Sequence, residues 1–172
     1  VSEPATELAD PGQLTEWRDG DPALLLAAAE AAVRTYCGWH IAPTRTDTFV
    51  VNGTGATVLP LPTMHLTAVD SLTEDGAEVE VANVQWSAAG YLYRPAPWTT
   101  RLRGVSAQVQ HGYADVPLEV QAVVLSVAAR GAATPDGAVR QQVGSVSLSF
   151  TGAGGVALLE HEQAVLDRYR LP

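Results

Sequence analysis

The segment PLEVQAVVLSVAAR, residues 117–130, is the strongest constraint in the sequence. Pro117 and Glu119 suit a first helical turn. Val120, Val123, Val124, Val127 and Ala128 recur at helical spacing, and Leu125 and Ala129 extend the apolar surface around the back. A helix that is apolar nearly all round belongs inside a core or between subunits. It needs helical partners, and the sequence predicts two, both distant along the chain. One spans 22–37: Asp21 reads as its N-cap, Pro22 as its first residue, and Gly38 ends it. Leu25, Ala29, Ala32, Val33 and Tyr36 form its apolar face. The other spans about 158–170, with Glu160 and Glu162 at its start and Arg168 and Arg170 at its end, as the helix dipole favours.

Between the first two helices the pattern changes to short strands with frequent turns. Phe49, Val50 and Val51 run into Asn52-Gly53, a tight-turn signal, and Gly53-Thr-Gly55 reads as a hairpin. Asp75-Gly76 marks a second turn, followed by alternation over 78–81. Val84-Gln85-Trp86 and Tyr91-Leu92-Tyr93 flank Ala88-Ala89-Gly90 as a hairpin would. Val105, Ala107 and Val109 share one side of a strand. The fold class expected is α+β: a framework of three main helices carrying an inserted antiparallel β-sandwich or barrel-like domain. The expected organisation is an N-terminal segment 1–20, a helical framework 21–40 and 112–172, and a β insertion 41–111. A short helix near Gln13–Arg18 is a further expectation. Residues 131–157 form a glycine-rich arm, in which Val146, Leu148 and Phe150 alternate with serines as a strand or an extended segment does.

Composition removes whole classes of chemistry. The ten basic residues are all arginine. Without lysine there is no Walker A loop, Schiff-base enzyme or Ser–Lys pair. Cys37 is the only cysteine, which excludes an internal disulfide and a cysteine metal cluster. The net charge of −9 disfavours a protein that grips nucleic acid and does not exclude one that lets DNA slide past. No apolar run approaches the ~20 residues of a membrane span. The acidic opening VSEPATELADPG lacks the basic end and apolar centre of a signal peptide.

No catalytic, cofactor or metal site is expected. His40, His65, His111 and His161 are too far apart for a helical metal pair, and His161-Glu162 lacks the second histidine of HExxH. Only a site assembled from distant histidines stays open. Gly152-Ala-Gly154-Gly155 has no basic residue nearby and reads as a hinge. Trp39, Trp86, Trp98, Tyr91, Tyr93 and Tyr113 are expected to fill a core or interface in preference to a stacking platform. In residues 111–121, HGYADVPLEVQ, each polar residue has a structural role where a strand hands over to a helix.

The pattern as a whole resembles the head-to-tail connector (adaptor) proteins of long-tailed bacteriophages and related particles. The resemblance covers about residues 20–172. It rests on the Ala-rich helix ending Tyr36-Cys-Gly-Trp-His40-Ile, and on Val58-Leu-Pro-Leu-Pro62 leading into Leu66-Thr-Ala-Val-Asp-Ser-Leu72. Gly90-Tyr-Leu-Tyr-Arg94 and His111-Gly-Tyr-Ala-Asp-Val-Pro117 follow, then Gly144-Ser-Val-Ser and the ending EQAVLDRYR. It implies a non-enzymatic virion protein of the neck, present in host cytoplasm during assembly. It further implies a homo-oligomeric, dodecameric ring under the portal protein that docks a stopper (head-closure) protein. Double-stranded DNA would pass through the channel without specific binding. In this family the C-terminal portion engages the portal, which points here to Arg168, Tyr169, Arg170 and Leu171 as a portal contact. Alternatives are another neck component (stopper or tail terminator), or a small carbohydrate-binding or hydrolase domain.

Overall fold

The structure is a computed structural model that describes residues 20–133, 140–143, 146–149 and 155–172. The elements in chain order are α1 (Pro22–Cys37), β1 (Arg45–Val51), β2 (Val58–Pro60), β3 (Leu66–Glu74), β4 (Ala77–Val79), β5 (Gln85–Trp86), β6 (Tyr91–Tyr93), β7 (Val105–His111), α2 (Leu118–Ala133), β8 (Arg140–Val143), β9 (Val146–Ser149) and α3 (Glu160–Leu166). Single 3-10 turns lie at Val81–Asn83 and Asp167–Tyr169. The fold is α+β. Two compact units divide the chain: α1 up to Tyr36 with Leu118–Asp167, and Cys37–Pro117 with Arg168–Pro172.

In the helical unit, α1 starts as its sequence requires. Asp21 Oδ1 accepts from the Ala23 and Leu24 N–H groups, at 2.8 and 3.0 Å. Leu25, Ala29 and Val33 are its buried stripe. On α2 the buried residues are Val120, Val123, Val124, Val127 and Gly131. Gly131 brings α2 close to Leu25: a Cβ there would lie 3.1 Å from Leu25 Cδ2. The α2–α3 pair is fastened by charge. Arg130 Nη1 and Nη2 each donate to one Glu162 oxygen at 2.9 Å, and Nη2 also reaches the Ala157 carbonyl at 2.7 Å. Glu162 additionally accepts from Leu159 N–H and Ser126 Oγ. Burial pushes its carboxyl up, but these donors outweigh burial and hold it below its ordinary value. The third helix is shorter than expected. It is α-helical only to Leu166, tightens to a 3-10 turn and ends at Tyr169, because residues 168–172 belong to the other unit.

The β unit contains two antiparallel sheets, ordered β1-β7-β3-β4 and β2-β6-β5, which are not closed into a barrel. Both feed one core of Leu59, Leu61, Leu66, Leu72, Val84, Leu92, Trp98, Val105, Ala107 and Val109. Asp75 and Gly76, both at positive φ, turn β3 into β4. The β5–β6 hairpin turns at Gly90, also at positive φ. The hairpin expected at Asn52-Gly53 does not form. β1 pairs with β7, and β2 belongs to the second sheet. Gly53 serves a close backbone approach instead: its N–H donates to Arg101 O, and an added Cβ would lie 1.9 Å from Thr99 O. Glu74 accepts from Arg94 Nη2 at 2.7 Å and from Thr99 N–H at 2.6 Å, while the Arg94 guanidinium lies 4.1 Å above Trp98.

Within the arm, β8 and β9 pair as an antiparallel hairpin. The expected helix at Gln13–Arg18, and the arm's residues 134–139, 144–145 and 150–154, lie outside the described residues.

Candidate functional site

The buried polar residues of the β unit, His40, Thr63 and His111, converge at one end of β7. That strand alternates, burying Val105, Ala107, Val109 and His111, so the period-2 pattern carries a histidine onto the core face. β1 does the same with Asp47, Phe49 and Val51, its less exposed positions. Register sets Asp47 opposite Val109 and Arg45 opposite His111, which places Asp47 diagonal to His111.

His111 is held at both ring nitrogens. Nε2 lies 2.9 Å from Asp47 Oδ2, and Nδ1 lies 3.1 Å from Thr63 Oγ1. Thr63 Oγ1 accepts from the His65 N–H at 3.2 Å, so its own proton is available for Nδ1. An Asp47 carboxylate accepts, so Nε2 carries the imidazole proton. Arg45 Nε also donates to Asp47 Oδ2, at 2.7 Å. The His111 hydrogen bond is the main cause that holds the Asp47 carboxyl below its ordinary value; burial opposes it, and Arg45 reinforces it.

His40 lies beside His111, ring centroids 4.4 Å apart and nearly perpendicular. Its Nε2 is 2.7 Å from the Pro43 carbonyl. Burial is the largest cause lowering its pKa, and His111 and Arg45 act in the same direction. Ile41, a β-branched residue at φ 67°, follows it, so backbone strain is stored here. Gly112 (φ 100°) closes the corner: a Cβ would lie 2.5 Å from His40 Nε2. Only glycine fits that conformation and that space.

Asp47, His111 and Thr63 have the order of a carboxylate–imidazole–hydroxyl relay. Thr63 is 0% and His111 1% exposed, so the hydroxyl faces protein and no substrate can reach it. As it stands the arrangement braces two strands and a loop. One oxygen of Asp47 and one nitrogen from each of His40 and His111 also lie within 4.8 Å of one another, a donor set that a metal ion can use.

Sequence reasoning named His40 and His111 and left open a site of distant histidines, but it brought neither to Asp47 or Thr63. His40, Asp47, Thr63 and His111 are far apart in the chain. The available signal was that His111 continues the Val105–Val109 alternation. His65 stacks on Tyr113, 4.1 Å between centroids, and His161 is exposed on α3. The six aromatics separate: Trp39 and Trp98 are buried, Tyr113 half-buried, and Trp86, Tyr91 and Tyr93 exposed. Among the four C-terminal residues, Tyr169 is buried. Its carbonyl accepts from Trp39 Nε1 at 2.6 Å, and its ring packs against Tyr113. Leu171 lies over Gly38, its N–H donating to Cys37 O, while Arg168 and Arg170 are exposed.

No family model and no curated protein matches this chain. Solved structures do. It is similar to a chain from the neck of a native GTA particle computed with C12 symmetry. That match has a TM-score of 0.56 and 20% identity, over 95% of this chain and 92% of the other. The likeness is one of fold. A chain from the neck of an empty GTA particle computed with C6 symmetry also matches, at TM-score 0.49 and 20% identity over 95% and 83%. Among the described residues, no helix is long and apolar enough to cross a membrane.

Proposed function

We infer that the chain is a structural component of a virion-like neck, an adaptor that assembles as a ring beneath a portal and extends the DNA channel. The observation that carries this is the fold likeness to a neck chain over nearly the full length of both proteins. In this reading the helices form the framework, 41–111 is the β insertion, and the ring is dodecameric. The protein would act without catalysis, in keeping with the burial of Thr63 and His111.

The exposed side of α2 supports assembly. Leu118, Ala122, Leu125, Ala129 and Ala132 are all exposed and recur at alternating steps of four and three. Leu118 is 79% and Leu125 54% exposed. That spacing makes an apolar seam suited to a neighbouring helix, with alanines permitting close approach. A ring built by rotation joins one face of a subunit to a different face of the next. The outward side of the second sheet, with Val58, Pro60, Tyr91 and Tyr93, is a second apolar surface for a stopper protein. Arg168 and Arg170 are the side chains offered to the portal, with Tyr169 and Leu171 holding the segment in place. The acidic balance keeps DNA from sticking as it passes.

Electron microscopy of the purified protein, alone and mixed with portal rings, tests the reading. Rings with the symmetry of the portal are expected. A monomer that never binds portal rings overturns it, as does turnover of a small substrate abolished by His111→Ala.

A further inference from the structure

We propose that His40, Asp47 and His111 form a binding site for a divalent transition-metal ion of the zinc class. One donor atom from each lies within 4.8 Å of the others. Two imidazoles and a carboxylate suit zinc, cobalt(II) or nickel(II) far better than the hard, oxygen-seeking calcium or magnesium.

The surroundings are those of a built site. Histidines that bind metal are oriented by a hydrogen bond at the other ring nitrogen. Both have one. Pro43 O fixes His40 through Nε2, which leaves Nδ1 carrying the lone pair. Thr63 Oγ1 holds His111 through Nδ1, with Nε2 turned toward Asp47. A bound ion takes the place of the proton on His111 Nε2. The imidazole stays neutral by carrying its proton on Nδ1, where Thr63 Oγ1 changes from donor to acceptor. His111 and Asp47 are held on the β1–β7 ladder and His40 Nε2 lies against Gly112, so little ordering is left to be done on binding. Asp47, with 29% of its side chain exposed, gives the ion a way in.

The competitor is Arg45, whose Nε sits on Asp47 Oδ2. Its side chain is 54% exposed and can swing into solvent. Removing it should strengthen metal binding, an outcome that a purely structural role for the cluster does not produce.

The experiment is titration of the metal-free full chain with Co²⁺ and with Zn²⁺, followed by visible absorption and calorimetry. One equivalent per chain is expected, with the d–d bands of a low-coordinate cobalt site and a raised melting temperature. Asp47→Asn, which keeps the size of the residue and one acceptor oxygen, should lower affinity by about tenfold or more, and His40→Ala likewise. Arg45→Ala should raise it, and His161→Ala should leave it unchanged. The proposal is overturned if the wild-type chain binds neither ion, or if folded Asp47→Asn and His40→Ala bind as the wild type does. It stands apart from the ring: a monomer that binds cobalt, or a ring that does not, separates the two.

Discussion

The two units manage their apolar surface differently. The β unit gathers ten buried residues into one core between its two sheets and leaves Val58, Tyr91 and Tyr93 open on the outward side of the second sheet. The helical unit leaves a second apolar seam on α2 open, with Leu118 and Leu125 among the most exposed large side chains. Each fully buried Leu contributes about 1.5–3 kcal/mol. The β unit has realised that gain in its ten-residue core, while the seam on α2 leaves part of it unrealised in the helical unit.

Gly53→Ala strikes the β unit hardest. The new Cβ would collide with the Thr99 carbonyl, which cannot move without dragging the 99–101 backbone. A loss of about 3 kcal/mol or more is expected in urea unfolding followed by tryptophan fluorescence. Arg130→Ala strikes the helical unit. It strips the bidentate partner from Glu162, whose side chain is 3% exposed, and leaves a buried carboxylate, costing about 3 kcal/mol in the same measurement.

Acid acts on both units, more gradually. The folded chain resists protonation of His40 relative to its ordinary value of 6.5, so the unfolded chain binds that proton first. Stability is full above that value and falls as pH drops below it. Asp47 and Glu162 are both held below their ordinary values of 3.8 and 4.5, so a second loss sets in as pH falls through and below that range. Melting temperature followed from pH 8 to pH 3 should show both. A melting temperature flat between about pH 7 and pH 5 would contradict the direction assigned to His40.

Leu125→Glu has the smallest effect on the subunit and sharpens the contrast most. Its site is exposed, so the monomer should change by less than about 0.5 kcal/mol. Assembly, measured by light scattering with portal present, should be lost.

Local patterns made much of this fold legible. Asp21-Pro22 and Gly38 bracket α1 because capping is decided within one turn of chain. Asp75-Gly76 forms its turn because both residues tolerate positive φ. Val105–Val109 alternates because a strand has two sides. The same local reasoning failed at Asn52-Gly53, where the pairing partner of β1 is β7, and at the end of α3, where Tyr169 is drawn onto Trp39 and Tyr113. It placed a helix apolar all round at α2, and the structure divides that circumference into a buried face and an open seam.

The elements, their order, the α+β class and the chemistry that a lysine-free, single-cysteine chain cannot perform are all readable from local sequence. That His40, Asp47, Thr63 and His111 meet, and that Gly53 is a crossing point, are properties of the folded chain alone. The reason is physical. Periodicity and capping are set by neighbours a few bonds away. Strand partners and register are set by which distant segments bury the most apolar surface together, and the polar cluster exists only because that choice joined β1 to β7.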